Sequence, residues 1–136
     1  MQQEAPKGTR IAHIGIAVKS ISASLPFLTE ILALERAEIS DSDGASIAAV
    51  MAGDSLVELL EPDGEDTPSG KFIARRGPGI HHICFAVDDI DATLEKCRAR
   101  GIKLLDEVPR IGAEGKRIAF LHPSSTEGIL LELSEY

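Results

Sequence analysis

Two short apolar segments of this chain are near-copies of each other, and each carries a histidine at an equivalent place. The segments are residues 11–18 (IAHIGIAV) and 80–87 (IHHICFAV), and His13 and His82 lie 69 positions apart in a chain of 136 residues. Short apolar runs of this kind are typical of buried strands. The repeat therefore predicts a duplicated module with one polar site between its two copies.

The similarity between the two halves continues beyond these strands. A helix-like spacing of apolar residues follows each of them, at 20–34 and at 89–101, and each half then ends in an apolar run with an embedded glutamate. These glutamates, Glu58 and Glu132, are 74 positions apart, which is close to the histidine offset. Each half is thus predicted to be a strand, a helix and about three strands, and the repeat pairs two histidines with two glutamates.

The repeat also sets the domain organisation. Module one is expected over about residues 10–61 and module two over about 80–136, with a linker at about 62–79 that holds one helical turn. The first helix is predicted over 22–32, with Leu25, Leu28, Ile31 and Leu32 as its apolar stripe. A chain of 136 residues with 43% hydrophobic content suits one compact core, so residues 1–136 are expected to form a single domain.

Side chains alternate between the two faces of a strand, and this alternation places the histidines. His13 shares a face with Gly15, and His82 shares a face with Cys84. Small neighbours leave room for a cavity into which an imidazole points. By the same alternation His81 is predicted to face away from His82, in a structural or substrate-proximal role.

Charge and hydropathy exclude several classes of partner. The net charge of −8 disfavours nonspecific binding to nucleic acid or to an anionic membrane. No stretch approaches the ~20 apolar residues of a membrane span, and residues 1–8 lack the apolar core of a signal peptide. We therefore expect a cytoplasmic protein, with Cys84 and Cys97 as reduced core residues.

The paired residues form a candidate metal site. A lone histidine on a strand is typically a core residue with a satisfied ring, but repetition with a paired glutamate favours a ligand. Imidazole nitrogen and carboxylate oxygen together suit divalent Co, Ni, Mn, Fe or Zn, and two carboxylates cancel the charge of such an ion. The sequence therefore predicts His13, Glu58, His82 and Glu132 as metal ligands; His122, before a proline, is a weaker candidate.

This pattern resembles the vicinal oxygen chelate, or glyoxalase, superfamily, and within it the methylmalonyl-CoA epimerase family, from about residue 10 to 133. The resemblance rests on residues 13–18 (HIGIAV), 57–62 (VELLEP) with 66–68 (DTP), 79–83 (GIHHI) with 87–90 (VDDI), and 109–113 (PRIGA) with 120–123 (FLHP). It implies an α+β fold in which two tandem βαβββ modules form one curved eight-stranded mixed sheet around a metal site. It also implies a homodimer and a CoA thioester substrate.

The chemistry implied by the resemblance is metal-dependent epimerisation of (2R)- and (2S)-methylmalonyl-CoA. A proton leaves C2 to give a metal-stabilised enolate and returns on the opposite face, so the reaction needs an acid/base group on each side. Some members resembling this chain carry a glutamate where Ile47 stands and a glutamine at the place of Glu58. Glu58 and Glu132 are therefore the expected acid/base pair, and a purely ligating role for both stays open.

Four further residues are candidates for substrate binding. Lys116 and Arg117 follow the glycine-containing loop 112–115 and are expected to reach a CoA phosphate. His122 and Ser124 are expected near the acyl carboxylate, although packing or capping would explain them equally well.

Three other functions are compatible with this fold. A glyoxalase I-type isomerase (lactoylglutathione lyase) acting on a glutathione hemithioacetal would use the same four ligands. A ring-cleaving dioxygenase would need two histidines and one glutamate, and the fourth ligand argues against it. A metal-free small-molecule-binding member would not need the four ligands that are present.

Overall fold

The computed structural model describes residues 8–41 and 44–136, whose strands form one curved mixed sheet. The eight strands are β1 (Arg10–Ala17), β2 (Arg36–Ala37), β3 (Ala45–Ala52), β4 (Ser55–Pro62), β5 (Gly79–Val87), β6 (Arg110–Ile111), β7 (Arg117–Phe120) and β8 (Leu131–Glu135). The helices are α1 (Ile21–Pro26), continued by a π-helical turn (Phe27–Ile31), α2 (Pro68–Arg76) and α3 (Ile90–Ala99), with a 3₁₀ turn at Pro123–Ser125.

The order of the strands shows the duplication directly. It is β2-β3-β4-β1-β5-β8-β7-β6, so each half contributes four neighbouring strands. β1 pairs in parallel with β4, β5 pairs in parallel with β8, and the two halves meet where β1 runs antiparallel to β5. The predicted fold class, two βαβββ units in one eight-stranded mixed sheet, is confirmed, and the four central strands are the ones that carry the predicted ligands.

The two halves differ in how their convex face is covered. In the second half α3 begins at the N-cap Asp89 and buries Ile90 and Leu94 against Val87 and Leu133. In the first half α1 and its π-helical turn have no fully buried residue. Helix α3 therefore adds buried residues of its own to the core, whereas α1 and its π-helical turn add none.

The predicted first helix is thus partly corrected. The apolar stripe of an amphipathic helix normally faces the core, but Ile31 is 71% and Leu32 50% exposed. Pro26 has no N–H to donate to the preceding turn, and the helix changes to π geometry directly after it, with Leu32 N donating to Phe27 O. This change of helical geometry alters the angular spacing on which the predicted stripe was based.

The linker contains more structure than the single turn predicted from the sequence. Helix α2 has nine residues, is capped by the Thr67 side chain, starts with Pro68, and stops at Gly77, whose φ is 72°. Within the described residues, no helix is long and apolar enough for a membrane span.

Gly15 brings β1 close to the ring of His82. A Cβ atom added at Gly15 would lie 2.2 Å from Cε1 of His82. Gly15 and His82 are also register partners across the β1–β5 pair. Glycine is needed here because any side chain would occupy the space of the imidazole.

We expect Gly15→Ala to displace the His82 ring and to lower the free energy of unfolding by about 1–3 kcal/mol, the usual cost of overpacking. Gly64→Ala is the matched control, because a Cβ at Gly64 meets nothing within 4 Å. Denaturant unfolding of both variants measures the difference. Equal stability of the two variants would contradict this account of Gly15.

Candidate active site and metal centre

The four central strands bring the predicted ligands to one concave face. β1 supplies His13, β4 Glu58, β5 His82 and β8 Glu132. Their exposed fractions are 4%, 3%, 6% and 5%, respectively, and all four line one cavity of about 240 Å³. Buried ionisable groups are stable only when they are paired or hold an ion, so these side chains depend on one another.

Three of the ligand atoms form a compact triangle. Nε2 of His13 lies 3.0 Å from Nε2 of His82, and Oε1 of Glu132 lies 3.2 Å from each of them. Ligands at right angles around a divalent ion, with bonds of roughly 2.1 Å, are about 3.0 Å apart. The triangle therefore has the spacing of three ligands on one face of an octahedron.

Glu58 lies on the other side of the His13 ring. Its Oε2 is 3.2 Å from Nδ1 of His13, and ligand atoms of His13, Glu58 and His82 lie within 4.8 Å of one another. Although buried, Oε2 of Glu58 has no hydrogen-bond partner. A buried carboxylate oxygen that has an ionic contact but no hydrogen bond, beside three clustered ligand atoms, fits a site built for a cation.

The site contains a third carboxylate, which the sequence did not predict. Glu114 lies in the loop between β6 and β7, and its Oε2 is 2.7 Å from Nδ1 of His13. Glu114 also lines the cavity, as does Ile47 on β3. The glycines at 112 and 115 indicate a loop here, and a loop side chain has no strand periodicity from which its direction could be read.

The surroundings of the metal-free cluster shift the pKa values of its members in different directions. Burial lowers the pKa of His13, but contacts with Cys84, Glu114 and Glu132 outweigh it and raise the pKa to about 12. Burial raises the pKa of Glu58 to about 8, against the attraction of His13. Burial also raises that of Glu132, but hydrogen bonds with both histidines lower it to about 2. Protons thus occupy part of this cluster near neutral pH.

His81 does not point away from His82 as predicted from strand alternation. Gly15 pairs with His82, whereas Ile16 pairs with Ile80, so His81 is an extra residue in a β-bulge. The bulge turns its ring to the cavity, with Nδ1 3.0 Å from Nδ1 of His82. Burial, together with the neighbouring His82, lowers the pKa of His81 to about 4.

The structure brings one of the four predicted substrate-binding residues to the cavity. Lys116 lines it, whereas Arg117 does not. Ile118 and Phe120 on β7 face the cavity, so Arg117 lies on the opposite face, where it binds Asp91 and Glu135.

His122 and Ser124 also lie outside the cavity lining. The main-chain N–H of Ser124 donates to Nδ1 of His122, so His122 caps the 3₁₀ turn. Arg117, His122 and Ser124 therefore do not form part of the cavity wall: Arg117 pairs with Asp91 and Glu135, and His122 has the capping role that the sequence left open. Their contact with a substrate stays a prediction.

Ser69 is a further polar residue of the cavity. It lies at the start of α2, is 3% exposed, and its Oγ has no hydrogen-bond partner. The neighbouring Thr67 differs, since its Oγ1 donates to Gly64 O at 2.7 Å and accepts from Gly70 N at 3.2 Å. Ser69 thus offers a free hydroxyl to a bound molecule.

Comparison with known proteins agrees with this fold and site. The sequence model of the Glyoxalase/Bleomycin resistance protein/Dioxygenase superfamily matches residues 12–120. The chain is 38% identical over 128 residues to the uncharacterised protein YqjC of Bacillus subtilis (93% of this chain, 91% of YqjC). It is 34% identical over 130 residues to the ethylmalonyl-CoA/methylmalonyl-CoA epimerase of Cereibacter sphaeroides (93% and 97%).

A solved structure of a methylmalonyl-CoA epimerase in complex with methylmalonyl-CoA and NH4+ superimposes with a TM-score of 0.88, at 36% identity and with 95% of each chain covered. The chain belongs to the Glyoxalase/Bleomycin resistance protein/Dioxygenase superfamily, and within it to the family of the methylmalonyl-CoA epimerases.

We expect divalent metal uptake to release protons and to become tighter as pH rises. In the metal-free protein His13 is protonated, and Glu58 is protonated below about pH 8. A cation competes with these protons for the same atoms, so raising the pH favours the metal. Calorimetric titration with Co²⁺ between pH 6 and 8, in buffers of different ionisation enthalpy, measures the proton release. An affinity that falls or stays constant over this range would contradict the account.

We expect Ser69→Ala to leave the free energy of unfolding unchanged or to raise it by about 1 kcal/mol, because it removes a buried hydroxyl that has no partner. Thr67→Ala is the matched comparison and should cost about 1 kcal/mol through loss of the helix cap. Thermal or denaturant unfolding of the two variants distinguishes them. A larger loss at Ser69 than at Thr67 would show that the Ser69 hydroxyl has a structural partner.

Proposed function

We propose that this protein catalyses the metal-dependent epimerisation of methylmalonyl-CoA by 1,1-proton transfer at C2. The observation that carries the proposal is the arrangement of Glu58 and Glu132 on the two sides of His13 and His82 in one buried cavity. The names of the relatives support the same activity.

The size of the cavity suits the acyl part of a CoA thioester. Its volume of about 240 Å³ is below the ~300–1,000 Å³ of pockets that enclose drug-sized ligands. The acyl group fits inside, and the nucleotide of CoA then lies outside. Lys116 lines the cavity and is exposed, so its ammonium group is available to a phosphate of CoA.

The chemistry requires a base on one face of C2 and an acid on the other. The C2 hydrogen of methylmalonyl-CoA is acidic because it lies between a thioester and a carboxylate. Glu132 on β8 and Glu58 on β4 are separated by β1 and β5 in the sheet, so their carboxyl groups approach the cavity from different sides. One carboxylate oxygen takes the proton, and the carboxyl group of the other glutamate delivers one to the opposite face.

His13, His82, Glu132 and Glu58 would hold a divalent ion, for which Co²⁺ is our first candidate and Mn²⁺, Ni²⁺, Zn²⁺ and Fe²⁺ are alternatives. When bound, this ion supplies Lewis-acid stabilisation of the negative charge that develops on the thioester oxygen. The four ionisable side chains are each less than 7% exposed, so charge interactions with a reacting group beside them are stronger than in solution.

We also propose that the protein is a homodimer. Phe27, Ile31 and Leu32 are 54%, 71% and 50% exposed, which is unusual for clustered large apolar residues of one helical segment. Analytical ultracentrifugation measures the state.

An isomerase acting on a glutathione hemithioacetal would use the same buried ligands, and substrate identity alone separates the two functions. The matched relatives that carry a functional name are named as epimerases of malonyl-CoA derivatives, which favours the CoA thioester. Both substrates belong in the first assay for this reason.

We expect the Co²⁺-loaded protein to exchange the C2 hydrogen of methylmalonyl-CoA for deuterium in D₂O and to invert C2. Proton NMR follows the exchange, and a stereospecific coupled assay follows the inversion. Chelation of the metal should abolish both. Turnover of the hemithioacetal, with no exchange in the CoA thioester, would establish the alternative function.

Replacement of one base separates exchange from inversion. Glu58→Gln, with its metal content checked, should exchange the hydrogen of one epimer through Glu132 and lose inversion by 10²–10⁴-fold, a typical contribution of a general acid or base. Glu30→Gln changes the charge equally on an exposed helical position and should behave as wild type. Full inversion by Glu58→Gln would remove Glu58 from proton transfer.

A further inference from the structure

His13 and His82 both direct Nε2 towards Glu132, but Nδ1 of each ring has a different neighbour. In both, Nε2 lies in the triangle with Glu132 Oε1, so Nδ1 is left for another neighbour. For His82 this neighbour is His81, at 3.0 Å on the same strand. For His13 it is Glu114, at 2.7 Å on a distant loop, with Glu58 farther away at 3.2 Å.

Glu114 is carried by a tight and well-bonded turn. Gly112 N donates to Lys116 O at 2.9 Å, and Gly115 N donates to Gly112 O at 3.0 Å. The turn is also joined to the first half of the chain, because Ser40 N donates to Ala113 O at 3.3 Å. The carboxylate is therefore held at a defined place above His13, and its side chain is only 20% exposed.

A histidine that binds a metal through one nitrogen almost always donates its other ring N–H to a partner, which is a carboxylate, a backbone carbonyl or water. Glu58 cannot serve as this partner of His13 while its carboxylate binds the ion. Glu114 can, since its oxygen is nearer to Nδ1 and its loop lies outside the sheet that carries the ligands.

We propose that Glu114 is the positioning residue of His13: its carboxylate keeps the ring proton on Nδ1 and leaves Nε2 free to bind a divalent cation beside His82 and Glu132. In the metal-free arrangement, neither the Glu58 nor the Glu114 carboxylate lies along the N–H direction of His13 Nδ1. That nitrogen makes only close ionic contacts with them. When the Glu58 carboxylate binds the ion, Glu114 remains as the partner of Nδ1 of His13. This inference rests on the proposed metal site and not on the identity of the substrate.

Metal affinity is the first readout. Glu114→Ala should bind Co²⁺ 10–100-fold more weakly than wild type, the usual effect of losing a carboxylate that orients a ligating histidine. Glu114→Gln keeps an oxygen acceptor of similar size and should lose less. Glu30→Ala removes the same charge from an exposed helical position and is the control for net charge. Calorimetry on the full chain measures all four proteins.

The second readout is the ring proton of His13 in the Zn²⁺-loaded protein. Nitrogen-15 NMR should show a slowly exchanging Nδ1–H for His13 in wild type, its loss in Glu114→Ala, and its retention in Glu114→Gln. The Nδ1 signal of His82 should not change, because His81 contacts that atom. A structural role of the loop alone would not single out one ring.

Unchanged Co²⁺ affinity together with an unchanged His13 signal in Glu114→Ala would overturn the proposal, and so would an equal loss of affinity in Glu30→Ala. If Glu114→Ala does not fold, Glu114→Gln decides, since wild-type affinity with loss of the Nδ1–H signal contradicts the role. Absence of metal binding by wild type would overturn the metal site and this inference together. Normal binding without epimerisation would overturn the proposed function alone.

Discussion

The burial of ionisable side chains in the middle of the sheet is the constraint on which the rest of this structure depends. His13, Glu58, His82 and Glu132 are each less than 7% exposed, on four adjacent strands. Each unpaired charge in such a place would cost several kcal/mol, so the cluster is stable only if its members neutralise one another or share a cation. These groups are brought into contact by the curvature of the sheet, by the glycine at position 15 and by the loop at 112–115.

Duplication explains the placement of the four ligands but not their local surroundings. The parallel pairs β1–β4 and β5–β8 repeat the same histidine and glutamate arrangement in both halves. The outer nitrogens of the two histidines have different neighbours: Nδ1 of His82 contacts His81 in a bulge, whereas Nδ1 of His13 contacts Glu114 from the other half of the chain. The convex face differs too, because α3 buries its apolar residues and α1 does not. A symmetric arrangement of two histidines and two glutamates thus lies in an asymmetric cavity.

Sequence reasoning succeeded where periodicity alone decides the outcome. The two strand histidines and the two closing glutamates follow from the repeat, and a shared face of each strand leads them to one cavity. Prediction was incomplete where the ladder is interrupted or where side chains bond locally. His81 lies towards the cavity because of a bulge, Arg117 pairs with Asp91 and Glu135 on the other face, and His122 caps a 3₁₀ turn, which the sequence left open as an alternative. The bulge leaves no signal in hydropathy.

The sequence by itself predicted a duplicated unit of a strand, a helix and about three strands, and placed two histidines and two glutamates at equivalent positions in its halves, because both follow from alternation of apolar and polar residues repeated along the chain. The family resemblance added the eight-stranded sheet. Tertiary structure alone decided which nitrogen of each histidine faces the centre, the entry of Glu114, and the position of Ser69 in the wall of the cavity. The physical reason is that these features depend on distances between elements remote in sequence, which the sheet curvature and the loop set together.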